Sequence, residues 1–228
     1  MKTWLLVAAE RREFDGIRKR MGKTVEVRWR GARFAREANW RGDHWFMVAN
    51  GPGAALVNEA LSEQIMLGAK RENIGGMIST GLCGALDPAL RVGDIVVPAG
   101  AAIETPSACI RGAVHSIDHV AVTPLEKRTL RNATGAIAVD MEAAAVEKKA
   151  AEWKVPFVCI RAVSDRAGET LPLDFNRYRN RRGDFSRTRI ALAAMAHPFT
   201  VMPQLIEFDR NCRRAADALG DFLADCRF

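Results

Sequence analysis

The sequence predicts an α/β domain with a central mixed, mostly parallel twisted sheet flanked by helices, and three observations carry that expectation. The chain has 228 residues of which 48% are hydrophobic, enough for one sizeable core. Short β-rich runs alternate with helical patterns, the signature of strand–helix–strand units. No internal repeat, low-complexity tract or linker divides the chain, so residues 1–228 read as a single domain, with a basic loop and C-terminal helices from about residue 170.

Taken in order, strands are expected at Trp4 to Ala8, Val25 to Trp29, His44 to Ala49, Gly76 to Thr80, Asp94 to Pro98, His119 to Thr123 and Phe157 to Val163. Helices are expected between them at Glu13 to Arg20, Ala54 to Leu67, Leu125 to Asn132 and Asp140 to Trp153. Beyond Asp165 come Leu171-Pro-Leu, an Arg-rich stretch, a helical segment near Arg189 to Ala196, the breaker Pro198, and a helix from Pro203 to about Asp225. That last helix carries Leu205, Phe208, Cys212, Ala215, Leu219 and Phe222 at three- and four-residue spacing, one apolar stripe beside Arg210, Arg213 and Arg214. Packing on the chain's own core is its ordinary use; an oligomer interface or a membrane surface are the other two.

The net charge of +7 directs attention to anionic partners without naming one. The basic residues are scattered except between Arg177 and Arg189, and no nucleic-acid partner is expected. Five cysteines, Cys83, Cys109, Cys159, Cys212 and Cys226, lie far apart with no C-x-x-C pattern, which suggests neither a disulfide framework nor a metal site. The apolar run after Met1 meets Glu10-Arg-Arg-Glu too soon for a secretory segment, and no stretch approaches the roughly 20 apolar residues of a membrane span. The expectation is a soluble, cytoplasmic protein.

Four segments could carry chemistry. Asn50-Gly-Pro-Gly-Ala-Ala joins a strand to a helix, where glycines permit a tight turn and helix N–H groups are free; plain punctuation is an equally good account. Ser79-Thr-Gly-Leu-Cys-Gly-Ala-Leu follows a strand, and its small residues admit a planar ligand or simply pack a sheet corner. Asp140-Met-Glu opens a helix with two carboxylates in its first turn, which caps and the macrodipole favour without any function. Phe157 to Asp165 is a buried-looking strand ending in Ser-Asp, and the carboxyl ends of parallel strands are where α/β proteins place ligand contacts. Glu10 and Glu13 follow the first strand, and as bare features they are a charged helical turn.

In combination these segments are more specific. Gly81-Leu-Cys-Gly-Ala-Leu-Asp-Pro-Ala-Leu-Arg-Val-Gly-Asp-Ile-Val-Val-Pro, then Val139-Asp-Met-Glu-Ala-Ala-Ala-Val, then Val155-Pro-Phe-Val-Cys-Ile-Arg-Ala-Val-Ser-Asp, resemble the nucleoside phosphorylase family, especially its methylthioadenosine/S-adenosylhomocysteine nucleosidase branch, over roughly Met1 to Asp165. Ser116 to Glu142, the Arg-rich tail and His197-Pro…Pro203-Gln-Leu are similar to the hopanoid-associated branch, whose members are implicated in removing adenine from adenosylhopane.

The resemblance implies an enzyme that cleaves the N-glycosidic bond of an adenosine-type nucleoside and releases adenine, with adenosylhopane favoured. Methylthioadenosine, S-adenosylhomocysteine or a futalosine-like compound are the alternatives within enzymes, and a non-catalytic purine-nucleoside binding protein the alternative outside them. It implies that Asp165 protonates the purine N7, oriented by Ser164; that Glu142 holds the ribose hydroxyls with Met141 packed on the sugar; and that Glu13, rather than Glu10, activates the attacking water. Asp140, Asn50, Gly51, Gly53, Gly81, Leu82, Cys83 and Gly84 fall in its substrate-binding stretches. His119, Val120 and Ala121 stand where relatives often place an aromatic that stacks on adenine, and this chain has none there. The arginine and serine of the phosphorylase anion clamp are also absent, the matching positions being Ser79 and Leu82, so water is the favoured nucleophile and phosphate remains a candidate co-substrate. No cofactor or metal is implied. A homodimer or higher oligomer is implied, and a basic tail beside an apolar helix suits a peripheral contact with a membrane.

Overall fold

β1 (Thr3–Ala8) is apolar on both faces because it lies inside the sheet, in register with β4 (Asp43–Ala49) on one side and β5 (Ile74–Ala85) on the other, parallel to both. The computed structural model describes residues 1–62, 74–180 and 182–228. Among these, the sheet runs in the order β2-β3-β4-β1-β5-β10-β6-β7, where β2 is Val25–Glu26, β3 Phe34–Trp40, β6 Ile95–Val97, β7 Ile110–Arg111 and β10 Phe157–Asp165. Two further strands, β8 (Val114–Ser116) and β9 (Ala138–Asp140), continue it from the far end of β5. β3 against β4, β10 against β6 and β5 against β9 are antiparallel, so the sheet is mixed around a parallel centre, as expected.

Trp4, Leu6 and Ala8 of β1 face one layer, where they meet Phe14 from a 3₁₀ turn (Arg11–Phe14), Ile17 and Met21 of α1 (Asp15–Met21), and Ala215, Leu219, Phe222 and Leu223 of α6 (Val201–Asp225). Leu5 and Val7 face the other, against Val57 of α2 (Ala54–Ala60) and Ala145, Val146 and Trp153 of α4 (Ala143–Trp153). The alternation is the period-two pattern of a strand covered by helices on both sides.

The C-terminal stripe divides its work. Ala215, Leu219 and Phe222 belong to the core, whereas Leu205, Phe208 and Cys212 line a cavity. α6 packs so closely on α1 that a Cβ at Gly220 would stand 2.2 Å from the carbonyl carbon of Gly16. Gly220→Ala is therefore expected to lower unfolding stability by about 1–3 kcal/mol, read from urea denaturation. Removal of the residues after Pro203 takes out a core layer and is expected to leave an unfolded chain by far-UV circular dichroism.

Several expectations are corrected. His119 to Thr123 is not a strand: the chain leaves the sheet after β8, and Val120 is held by Asn176, whose Nδ2 donates to the Val120 carbonyl at 2.9 Å and whose Oδ1 accepts its N–H at 2.8 Å. Asp140 belongs to β9 and α4 begins at Ala143, so Asp140 and Glu142 stand on the strand-to-helix turn rather than in a helix. Glu13 precedes α1, and Ser79 to Gly84 lie within β5 rather than after it. β3 was not anticipated, its Arg36, Glu37 and Asn39 masking a strand at the sheet's less covered end. The last helix starts at Val201, with Pro203 in its first turn, where a missing N–H is harmless. Residues 63–67 of the expected second helix lie outside the described residues.

Candidate active site

β1, β5, β9 and β10 end at one cavity of about 590 Å³, lined by Glu13, Leu82, Cys83, Gly84, Val120, Ala121, Asp140, Met141, Glu142, Ser164 and Asp165 among others. The sheet thus gathers segments far apart in sequence at one edge, as doubly wound folds do.

Glu13 is buried, and both its oxygens accept backbone hydrogens: Oε1 from Leu82 N–H at 2.8 Å, Oε2 from Glu10 N–H at 2.7 Å. Burial raises its pKa, opposed by those two bonds and by the Arg161 cation. Gly81, with φ at +147°, makes room: a Cβ there would lie 2.8 Å from Glu13 Oε1. Glu10, in contrast, is partly exposed and paired with Arg12 and Arg187, each at 3.1 Å.

Glu142 Oε1 accepts the Gly53 N–H at 2.8 Å, so the glycine turn spends a free donor on a carboxylate of the chain itself. Burial and the adjacent Asp140 carboxylate push the Glu142 pKa up to about 8, with Arg161 opposing. Asp140 is fixed by Ser116 Oγ–H at 2.5 Å, by Ala143 N–H at 2.8 Å and by the buried Arg161 guanidinium, whose Nε donates at 2.9 Å. Arg161 Nη2 also donates to Ser79 Oγ at 2.7 Å, while Nη1 has no hydrogen-bond partner among the described residues.

Asp165 sits at the end of β10 with Oδ1 accepting from Ser164 Oγ–H at 2.7 Å and Oδ2 from the ammonium of Lys127 at 2.5 Å. Burial nonetheless raises its pKa, with Lys127 and the Ser164 hydroxyl acting the other way.

Some anticipated residues lie behind the cavity rather than on it. Asn50 is buried and donates to Leu56 O at 3.1 Å and Glu59 Oε2 at 3.2 Å, so it braces α2. Gly51, Gly53 and Gly81 shape backbone beneath the lining residues. No aromatic stands at 119–121, but three from later in the chain line the cavity: Phe175 of the 3₁₀ turn Phe175–Tyr178, Phe185, and Phe208 of α6, with the Phe175 and Phe208 centroids 5.6 Å apart. Arg161 and Lys127 were also missed. Arg161 left a trace, a lone cation inside the apolar run Phe157 to Val163; Lys127, in a charged helix, left none.

The three carboxyls all bind a proton more tightly in the folded chain than in the unfolded one. Stability held at low pH is therefore lost as pH rises through the raised values, for Glu142 from near 4.5 towards about 8. Glu142→Gln keeps an acceptor for Gly53 and removes one titrating group. It is expected to flatten the fall of Tm between those limits, with the gain over wild type largest at the alkaline end.

Comparison with known proteins places the family and the fold. The family model described as the phosphorylase superfamily matches residues 4–107 and 101–195. A 5′-methylthioadenosine/S-adenosylhomocysteine nucleosidase of Psychromonas ingrahamii is 28% identical over 165 residues, covering 55% of this chain and 71% of the relative. Among solved structures, the Neisseria meningitidis nucleosidase of the same name, complexed with methylthio-immucillin-A, superposes with a TM-score of 0.70 at 21% identity, covering 99% of this chain and 98% of that one. Futalosine hydrolase of Helicobacter pylori gives 0.70 at 16% identity, covering 98% and 96%. These structural likenesses show the same fold. With the family model matched over most of its length, the chain belongs to the phosphorylase superfamily, as an enzyme that cleaves the N-glycosidic bond of a nucleoside.

Proposed function

We propose that the protein hydrolyses an adenosine-type nucleoside extended at its 5′ position, of the class of methylthioadenosine and S-adenosylhomocysteine, and releases adenine. The observation that carries this reading is the convergence of Glu13, Glu142 and Asp165 on one buried cavity. Cleavage leaves positive charge on the sugar and negative charge on the base. In this reading Asp165 protonates the base, Glu142 binds the ribose hydroxyls and steadies the sugar cation, and Glu13 takes the proton of the attacking water. Phe175, Phe185 and Phe208 offer the base or the 5′ group an aromatic surface. Water is favoured over phosphate because three arginines at the cavity are held by carboxylates, Arg12 by Glu10 and Asp209, Arg187 by Glu10 and Arg161 by Asp140; Arg11 also lines the cavity and makes no ion pair among the described residues, so it is the group a phosphate would use. Phosphate-independent adenine release tests this; release only with phosphate overturns the choice of nucleophile.

A second reading, adenosylhopane, is favoured by one observation. The cavity lining includes an apolar set, Leu171, Ile190, Ala191 and Leu205, besides the three phenylalanines. Just outside, the hairpin of α5 (Arg187–Ala196) and α6 exposes Leu192, Met195, Ile206 and Phe199, the last 93% accessible. A peripheral membrane contact through that hairpin belongs to this reading, and no helix among the described residues is long and apolar enough to cross a membrane. Flotation with anionic vesicles, lost in Phe199→Ser, together with cleavage of adenosylhopane in detergent, supports it. Cleavage of methylthioadenosine alone excludes it.

A further inference from the structure

Lys127 is the chain's most unexpected buried group. It lies in the first turn of α3 (Pro124–Thr134), where the positive end of the helix dipole disfavours a cation, so the helix gives no reason for it. Its side chain is wholly inaccessible, and its three N–H bonds are all used: to Asp165 Oδ2 at 2.5 Å, to Arg166 O at 2.7 Å and to Glu169 O at 3.3 Å. A neutral amine has two donors and would leave one acceptor unmet, so the geometry fits the ammonium.

We propose that Lys127 is a positioning residue for the acid step, its ammonium fixing the Asp165 carboxyl and making the proton that Asp165 carries transferable to the leaving base. The inference rests on the reading of Asp165 as proton donor given above. Burial by itself would lock a proton on this carboxyl, and an acid works best when its proton affinity matches the working pH. A fixed cation on the face away from the cavity supplies that correction without touching the nucleoside. Of the other groups around Asp165, the Ser164 hydroxyl acts in the same direction through its hydrogen bond but brings no charge, Cys83 of β5 and Cys212 of α6 are thiols whose own pKa values burial raises, and Glu169 on the following turn carries the wrong sign. The proton moves only from Asp165 to the base; Asp165 is left as carboxylate, ion-paired with Lys127, until solvent restores it.

The test is the pH profile of kcat/KM with methylthioadenosine. The alkaline limb, where Asp165 loses its proton, is expected to move upward by about 1–3 pH units in Lys127→Met, the effect of removing an opposite charge at contact. Lys127→Arg is expected to return it most of the way. A folded Lys127→Met with its limb at the wild-type pH overturns the inference, because a merely structural lysine would change the rate and leave the limb in place. If Lys127→Met does not fold, carbon-13 titration of the Asp165 carboxyl in wild type and in the neutral, hydrogen-bonding Lys127→Gln decides: a higher midpoint in Lys127→Gln supports the proposal and identical midpoints overturn it. Asp165→Asn separates the two levels. Inactive Asp165→Asn with an unmoved Lys127→Met limb sinks only this inference, whereas Asp165→Asn with wild-type turnover sinks the proton-donor reading as well.

Discussion

Asp165→Asn is expected to lower kcat by about 10²–10⁴-fold, the usual loss when a positioned acid is removed. An amide keeps the shape of the side chain and its bond from Ser164 but has no proton to give to a purine nitrogen. The folded chain already favours the protonated, neutral form of this carboxyl, so an amide in its place leaves the Lys127 ammonium facing a neutral group, as it does in the working acid. Stability is therefore expected to change little at the pH where the acid is active while turnover is lost, a contrast that urea denaturation and kinetics measure separately. Adenine binding by calorimetry is expected to persist in the folded single variant, since the phenylalanines and the Val120–Ala121 segment are untouched.

Arg161→Leu is expected to cost about 3–5 kcal/mol of unfolding free energy, the range for breaking a buried ion pair by removing one partner. The guanidinium joins Asp140 of β9 to Ser79 of β5, and without it the Asp140 carboxylate remains buried with only Ser116 and the backbone of the following turn to hold it. Arg161 also lowers the proton affinity of both Glu13 and Glu142. Its loss is expected to leave Glu13 protonated to higher pH, so the acid limb of the pH profile moves up in whatever protein still folds. Equilibrium unfolding in urea and a pH–rate profile measure the two consequences.

The parts of the fold that were legible in the sequence are those whose physics is local. β1, β4 and β10 are continuous apolar runs because they are covered on both faces, and such runs need no knowledge of the partner strand. β3 was hidden because it lies nearer the sheet's edge, where one face is solvated and charged residues replace the apolar pattern. The segment at His119 reads as a strand by composition, yet the Val120 backbone is satisfied by the Asn176 side chain, 56 positions away, which no local pattern announces.

The candidate site divides in the same way. Asp165 ends a strand and Glu13 and Glu142 stand on the turns that follow strands, segments that sequence order and a family resemblance place together, and the structure brings them to one cavity. The groups that tune them do not follow from order. Lys127 reaches Asp165 from a helix 38 positions earlier, and the aromatic wall comes from the tail beyond Asp165, which the resemblance to the nucleosidase branch did not cover. Asn50 and Gly51 look like ligand contacts because turns before helices often are; here the turn's free N–H meets Glu142 and Asn50 ties down α2.

The central claim, that this cavity hydrolyses an adenosine-type nucleoside, is tested most directly by chromatographic detection of free adenine after incubating the purified protein with methylthioadenosine in phosphate-free buffer. The account predicts adenine together with the free sugar, at a rate that phosphate does not raise and that Glu13→Gln abolishes. Folded protein that releases no adenine from methylthioadenosine, adenosine or adenosylhopane, with or without phosphate, would contradict it.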